Sequence, residues 1–217
     1  MVNSEISIYV QNNIIPCYSQ FDDAHNIDHV EKIIKNSLRI ASEYDVNIDM
    51  VYVIAAYHDV GLKNSRENHE KTSAAFLLDD IKLKDWFSGH EIEIMVEAIE
   101  DHRASNDNVP RSIYGKIISE ADRDIEYETI IKRVIQYSLA NYPNYDFKQH
   151  FSRSYEHLEE KYGKSGYLKL WLDTEQNRNQ LEKLRNKIAN KHELEIDFKE
   201  LFYDLLNHEQ NECTKNI

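Results

Sequence analysis

Two histidines and two aspartates interrupt apolar stripes where an ionisable side chain is costly. His58 follows Val51, Ile54 and Ala55 at i−7, i−4 and i−3, so it shares their buried helical face. Asp59 comes next, at the C-terminal end of the same expected helix. That end carries partial negative charge, and a carboxylate there is unfavourable without a nearby cation. Left unpaired and buried, it costs on the order of several kcal/mol. His29 shares a helical edge with Ile33 and Ile40, and Asp122 lies four residues after Ile118 and three before Ile125. These four side chains come from three separate expected helices, each near a helix end. Two imidazoles and two carboxylates make a mixed nitrogen–oxygen site for a divalent ion: manganese, iron, cobalt, nickel or zinc, with magnesium as a further candidate. Taken alone, the His-Asp dipeptide is a weak signal, and a core histidine beside a solvated aspartate is the simpler reading.

The elements that must position these residues are helical. Only 5 Gly and 3 Pro occur in 217 residues, and no alternating strand pattern competes. The expected helices run Ser4–Tyr18, which Pro16 shortens, then Ile27–Tyr44, with Val30, Ile33, Ile34, Leu38 and Ala41 at helical spacing. The next starts near Asp49 as N-cap, is almost wholly apolar and therefore central, and stops at Gly61. Helical patterns follow at 68–83, 91–102, 112–122 and 125–140, and beyond Asn141-Tyr-Pro-Asn-Tyr at 146–162, 167–190 and 197–206. The expectation is one all-α domain over residues 1–217, with a core at about 20–140 and a more charged helical C-terminal extension at about 141–217.

Composition sets limits. The formal net charge is −13, which repels phosphate backbones, so nucleic acid is not expected as a sequence-independent partner. A small phosphorylated substrate remains compatible, because a bound cation reverses the local field. The two cysteines, Cys17 and Cys213, form neither a CxxC pair nor a disulfide framework. No basic leader or membrane-length apolar run is present, so the expectation is a cytoplasmic protein with no membrane partner. There is no P-loop, no G-x-G-x-x-G and no His-Glu-x-x-His. The 14 tyrosines are spread along helices and read as packing residues.

The order His29 … His58-Asp59 … Asp122, with intervals of 29 and 63 residues, resembles the H…HD…D signature of the HD superfamily of metal-dependent phosphohydrolases. The local contexts Ala24-His25-Asn26-Ile27-Asp28-His29-Val30, Ala56-Tyr57-His58-Asp59-Val60-Gly61 and Ala121-Asp122-Arg123 carry the likeness, which is strong over residues 20–140 and is similar to the small stand-alone bacterial members. A weaker likeness covers Leu168–Arg185. The resemblance implies an HD-domain helical bundle, hydrolysis of phosphate esters, and a divalent metal on His29, His58, Asp59 and Asp122. The chain departs from the family pattern at Leu62-Lys63, where many members place Lys directly after the glycine. It departs again at Asn26, where close relatives carry Asp, and at Asp124-Ile125-Glu126, where they continue into Leu-Asp.

His102 lies three residues after Ile99 and seven after Met95, on a buried stripe, and His69 opens a helix whose face continues through Ser73 and Phe76. They resemble the additional histidines that hold a second metal, or the substrate phosphate, in some HD phosphodiesterases. The other readings are a satisfied core histidine and a helix-start histidine. If they are part of the site, one Asp59 oxygen bridges toward them, and both imidazoles lie within a few ångströms of that carboxylate. His25 either touches the site or sits in solvent. Lys63, Arg66, Arg103 and Arg123 flank the ligands as phosphate binders or solvated charge, and Asp28 and Asp101 are expected as acceptors for ligand imidazoles. His90, His150, His157, His192 and His208 read as ordinary.

The functional expectation is metal-dependent hydrolysis of a nucleotide or other small phosphorylated metabolite, as a phosphomonoesterase or phosphodiesterase. Asp59 is the expected proton acceptor, and His69 and His102 are expected to act on phosphate. The alternative is a metal- and nucleotide-binding regulatory module with little turnover.

Overall fold

The computed structural model describes residues 1–21, 25–63, 67–103, 108–123 and 125–215, with side chains to residue 207. Arg66 and the side chains of His208 and Cys213 therefore lie outside the described residues. The described residues are helical with no strand. They form two compact units, Met1–Arg123 and Asp124–Ile217.

In the first unit, α1 (Ser4–Asn13) leads into a 3-10 turn, Ile15–Gln20, with Pro16 in its first two positions. The proline ring fixes φ and removes a donor, so the first helix ends at Asn13 rather than Tyr18. Next come α2 (Ile27–Ala41), α3 (Ile48–Tyr57), α4 (His69–Asp79), α5 (Gly89–Asp101) and α6 (Ile113–Ala121). Every residue from Met50 to Tyr57 of α3 is buried, because α1, α2, α4, α5 and α6 all pack around it. The N-cap of α3 is Asn47, whose side chain accepts from the Asp49 N–H at 3.0 Å, so the cap stands two residues before the expected Asp49. The same device starts α2 at Asn26, α5 at Ser88 through a capping box with Glu91, and α6 at Ser112.

Gly61 does not stop α3, which already ends at Tyr57 with His58 as C-cap; it lies in a following 3-10 turn, Val60–Lys63, and no glycine has positive φ. Its lack of a side chain serves another end. A Cβ at residue 61 would sit 2.5 Å from the Ser73 nitrogen and 2.7 Å from the His69 carbonyl oxygen. The glycine thus lets the first turns of α4 pack directly on the turn that follows His58-Asp59, and Gly61 N–H donates to Ser73 Oγ at 2.9 Å.

The second unit holds α7 (Tyr127–Asn141), α8 (Phe147–Tyr162), α9 (Glu175–Ala189) and α10 (Lys191–Lys215). Ile131, Ile135, Leu158, Leu184, Leu194 and Phe198 form its fully buried centre. The helix expected over 167–190 begins only at Glu175; Gly163 and Gly166 close a turn before it, Gly166 N–H donating to Gly163 O at 2.9 Å. The helix expected over 197–206 is longer, Lys191–Lys215, because Leu194 and Phe198 bury a stripe within charged first turns. Among the described residues no helix is long and apolar enough to cross a membrane.

Candidate metal centre

Local helix chemistry sets each side chain. The Asn26 side chain accepts from the His29 N–H at 3.1 Å, which fixes His29 in the first turn of α2. His58, Asp122 and His102 are the C-cap residues of α3, α6 and α5. Three helix ends therefore direct partial negative charge at one place, which favours a cation there. His58 donates from Nδ1 to Ala55 O at 2.8 Å, and His102 from Nδ1 to Ile99 O at 2.6 Å. Each ring is thereby oriented with Nε2 pointing inward. His69 is the first residue of α4, brought close by the contact at Gly61.

The result is a carboxylate between two pairs of imidazoles. Asp59 Oδ2 lies 3.3 Å from His58 Nε2 and 3.7 Å from His29 Nε2. Asp59 Oδ1 lies 3.2 Å from His69 Nε2 and 3.4 Å from His102 Nε2. Asp122 Oδ1 stands 3.5 Å from His29 Nε2 and 4.0 Å from His58 Nε2. Neighbouring rings are close: His29–His58 centroids are 5.5 Å apart, and His58–His102 and His69–His102 both 5.3 Å. His58, Asp59 and His102 are buried, His29 and His69 nearly so, and Asp122 is the most open.

Burial at this density calls for compensation. Burial alone lowers the pKa of His58, yet the facing Asp59, with Asp122, outweighs it and pushes the imidazole up to about 9. Burial likewise raises that of Asp59, but His58, His102 and His29 hold its carboxyl well below the usual range. Even so, His29 Nε2, His58 Nε2 and Asp59 Oδ1 are buried without a hydrogen-bond partner. Orphaned polar atoms of this kind are rare in proteins and point to a ligand. Donor atoms of His29, His58 and Asp59 lie within 4.8 Å of one another, as do those of Asp59, His69 and His102. Nitrogen and carboxylate donors at this spacing fit a divalent transition metal in either group.

The flanking residues divide. His25 stacks edge-on against His29 at 5.7 Å. Asp101 does not orient an imidazole: it accepts from the Arg111 backbone at 2.7 Å and from its guanidinium. Asp28 is exposed on α2. The backbone carbonyls of Ala55 and Ile99 take the role expected of these aspartates, because a C-cap histidine reaches the carbonyl three residues back. Arg123 is neither solvated nor open. Its side chain is buried beside buried Glu120, 3.8 Å away, and burial lowers its pKa. Lys63 is exposed, and exposed Arg103 lies 3.6 Å from Glu70. Among the remaining histidines His90 is exposed, and His150 is buried in the second unit against Ser138 at 2.7 Å.

Sequence reasoning missed Tyr18. Its buried hydroxyl donates to Ala56 O at 2.9 Å and accepts from the Asp59 N–H at 3.3 Å. No spacing signals this, since the partners are 38 and 41 residues apart.

Residues 26–125 match the family model described as the HD domain, a span that contains all six residues of the centre. The chain is also similar to a crystal structure titled as a predicted HD superfamily hydrolase from an uncultured Thermotogales bacterium, at 21% identity, a TM-score of 0.53 and coverage of 86% of both chains. That likeness shows the fold. No curated protein matches the chain.

Proposed function

On the match of residues 26–125 to the HD domain, we propose that the chain is a metal-dependent phosphohydrolase that hydrolyses a phosphate ester of a nucleotide or another small phosphorylated metabolite. The observation that carries the reading is the position of Asp59, whose two oxygens face separate pairs of imidazoles at 3.2–3.7 Å. A purely structural ion pair has no use for four histidines around one carboxylate.

His29, His58, Asp59 and Asp122 would hold a divalent cation. Bound there, the cation supplies an activated water and polarises a phosphoryl oxygen. Asp59 Oδ1 and the inward-facing Nε2 atoms of His69 and His102 remain beside it and would hold a second cation, or the two imidazoles, when protonated, would donate from Nε2 to phosphate. Asp59 is buried and braced through its backbone N–H by Tyr18, which would keep its carboxylate in place beside the cation. The net charge of −13 does not oppose this reading, since a cation at the centre reverses the field that a phosphate meets.

The test is a phosphate-ester panel of nucleoside mono-, di- and triphosphates and cyclic nucleotides, assayed with Mn, Fe, Co, Ni, Zn and Mg. Release of phosphate or pyrophosphate should require metal and disappear in Asp59→Ala. Nucleotide binding without turnover under every metal would replace this reading with a regulatory module.

A further inference from the structure

We propose that Glu70 is a positioning residue of the centre, holding the ring of His69 so that Nε2 faces Asp59. The inference rests on the reading that His69 faces a second cation or phosphate.

The three inner histidines near Asp59 Oδ1 and Oδ2 are not all fixed alike. His58 and His102 close helices, so each finds the carbonyl three residues earlier, Ala55 or Ile99, for its Nδ1 proton. His69 instead opens a helix, directly after Asn68 in the left-handed region at φ 59°. With Nε2 3.2 Å from Asp59, the Nδ1 side turns toward Glu70, whose Oε2 is 3.6 Å away.

Glu70 is out of place for an ordinary first-turn acid. Such residues serve the helix dipole from solvent. Here the residue is 9% exposed, and its Oε2 is buried without a hydrogen-bond partner. A buried carboxylate oxygen in that state is costly unless a charged neighbour compensates. Among the described residues, the charged neighbours of that oxygen are His69 Nδ1 and Arg103 Nη1, both at 3.6 Å. At this distance the contact is electrostatic; a shift of under an ångström makes it a hydrogen bond. A carboxylate on the outer nitrogen fixes the tautomer of a metal-facing imidazole, and loss of such a partner typically weakens metal binding about 10–100-fold. Through the same oxygen, Glu70 ties Arg103 beside His102.

The experiment is a double-mutant cycle on the full chain, read by calorimetric Mn2+ titration and by steady-state kinetics on whichever panel ester is turned over. Glu70→Ala should weaken Mn2+ bound beyond the first equivalent about 10–100-fold, or lower kcat with KM nearly unchanged if only one equivalent binds. Glu70→Gln, whose amide oxygen still accepts from Nδ1, should recover most of the loss. In a His69→Ala background, Glu70→Ala should add nothing further, because both act through one ring. Thermal unfolding of the metal-free variants confirms that each folds. Full additivity of Glu70→Ala with His69→Ala, or unchanged Mn2+ binding and kcat in Glu70→Ala, overturns the role of Glu70. A His69→Ala protein identical to wild type in both readouts removes His69 itself and overturns the reading beneath.

Discussion

Tyr18 holds the backbone of Asp59: its buried hydroxyl accepts from the Asp59 N–H at 3.3 Å while donating to Ala56 O at 2.9 Å. One phenol thus braces the bend between the end of α3 and the turn that carries the carboxylate. Burial, with the charge of Asp59 nearby, pushes the Tyr18 pKa well up, so the hydroxyl stays protonated and keeps donating. Tyr18→Phe leaves a buried carbonyl and a buried N–H without that partner. The expected cost is about 1–3 kcal/mol of stability. Denaturant unfolding measures it, and a variant as stable as wild type would show the brace to be idle.

Metal content should follow the geometry around Asp59 Oδ2. His58→Ala and Asp122→Ala remove donors next to His29, so elemental analysis should find metal reduced in both relative to wild type. Added metal should raise the unfolding midpoint of the wild-type protein through linkage and do so less in the variants. His102→Ala, on the Oδ1 side, should lower turnover while keeping the first metal equivalent. Full metal occupancy in both His58→Ala and Asp122→Ala would place the cation elsewhere.

Gly61 offers a test of how α4 reaches the centre. A methyl at this position would meet backbone atoms at 2.5–2.8 Å, and backbone cannot rotate aside. Gly61→Ala should therefore displace α4, with an expected loss of about 1–3 kcal/mol. Because His69 rides on the displaced turn, kcat should fall more than the metal content of the first equivalent. Wild-type stability and turnover together in Gly61→Ala would mean the turn adjusts freely.

What the sequence made legible was periodic. The uniformly apolar run ending in His58-Asp59 marked α3 as central, and it is buried throughout from Met50 to Tyr57. Interruption of apolar stripes singled out His29, His58, His102 and Asp122, and position at a helix end, together with the family resemblance, singled out Asp59 and His69; each lies within 4.0 Å of at least one other. The features that were not legible depend on contacts distant in sequence or on a local choice with equivalent alternatives. Tyr18 reaches Asp59 across 41 residues, and nothing in its own helix announces the contact. Gly61 reads as a helix stop until the approach of Ser73 is seen. Asn47 and Asp49 are both good N-caps, and only geometry separates them. Asp101, expected as an acceptor for a ligand imidazole, is claimed by Arg111 instead, because successive helical residues face different sides and Asp101 does not share the face of His102.

The second unit has its own acid sensitivity. Asp197 on α10 accepts from the Tyr127 hydroxyl at 2.6 Å and from Lys187 Nζ at 3.0 Å. Burial alone would raise its pKa, but these two donors favour the ionised form and hold the carboxyl below its ordinary range. A folded-state pKa below the unfolded value means that the native state resists protonation more than the unfolded chain does. The resulting stability is present at pH above the ordinary aspartate value of about 4 and is lost as pH falls through the lower folded value. Asp197→Asn should therefore cost about 1 kcal/mol at neutral pH, after allowance for partial exposure, and progressively less in acid. Lys187 keeps Glu193 as a partner in the variant, which limits the loss. Trp171 lies in this unit and Trp86 in the other, so a Trp86→Phe background lets fluorescence report the second unit alone. Urea titrations from neutral pH to about pH 3 should show the two stabilities converging at the acid end. A difference that stays constant across that range would mean that the carboxylate's ionisation contributes nothing and that only its shape is needed.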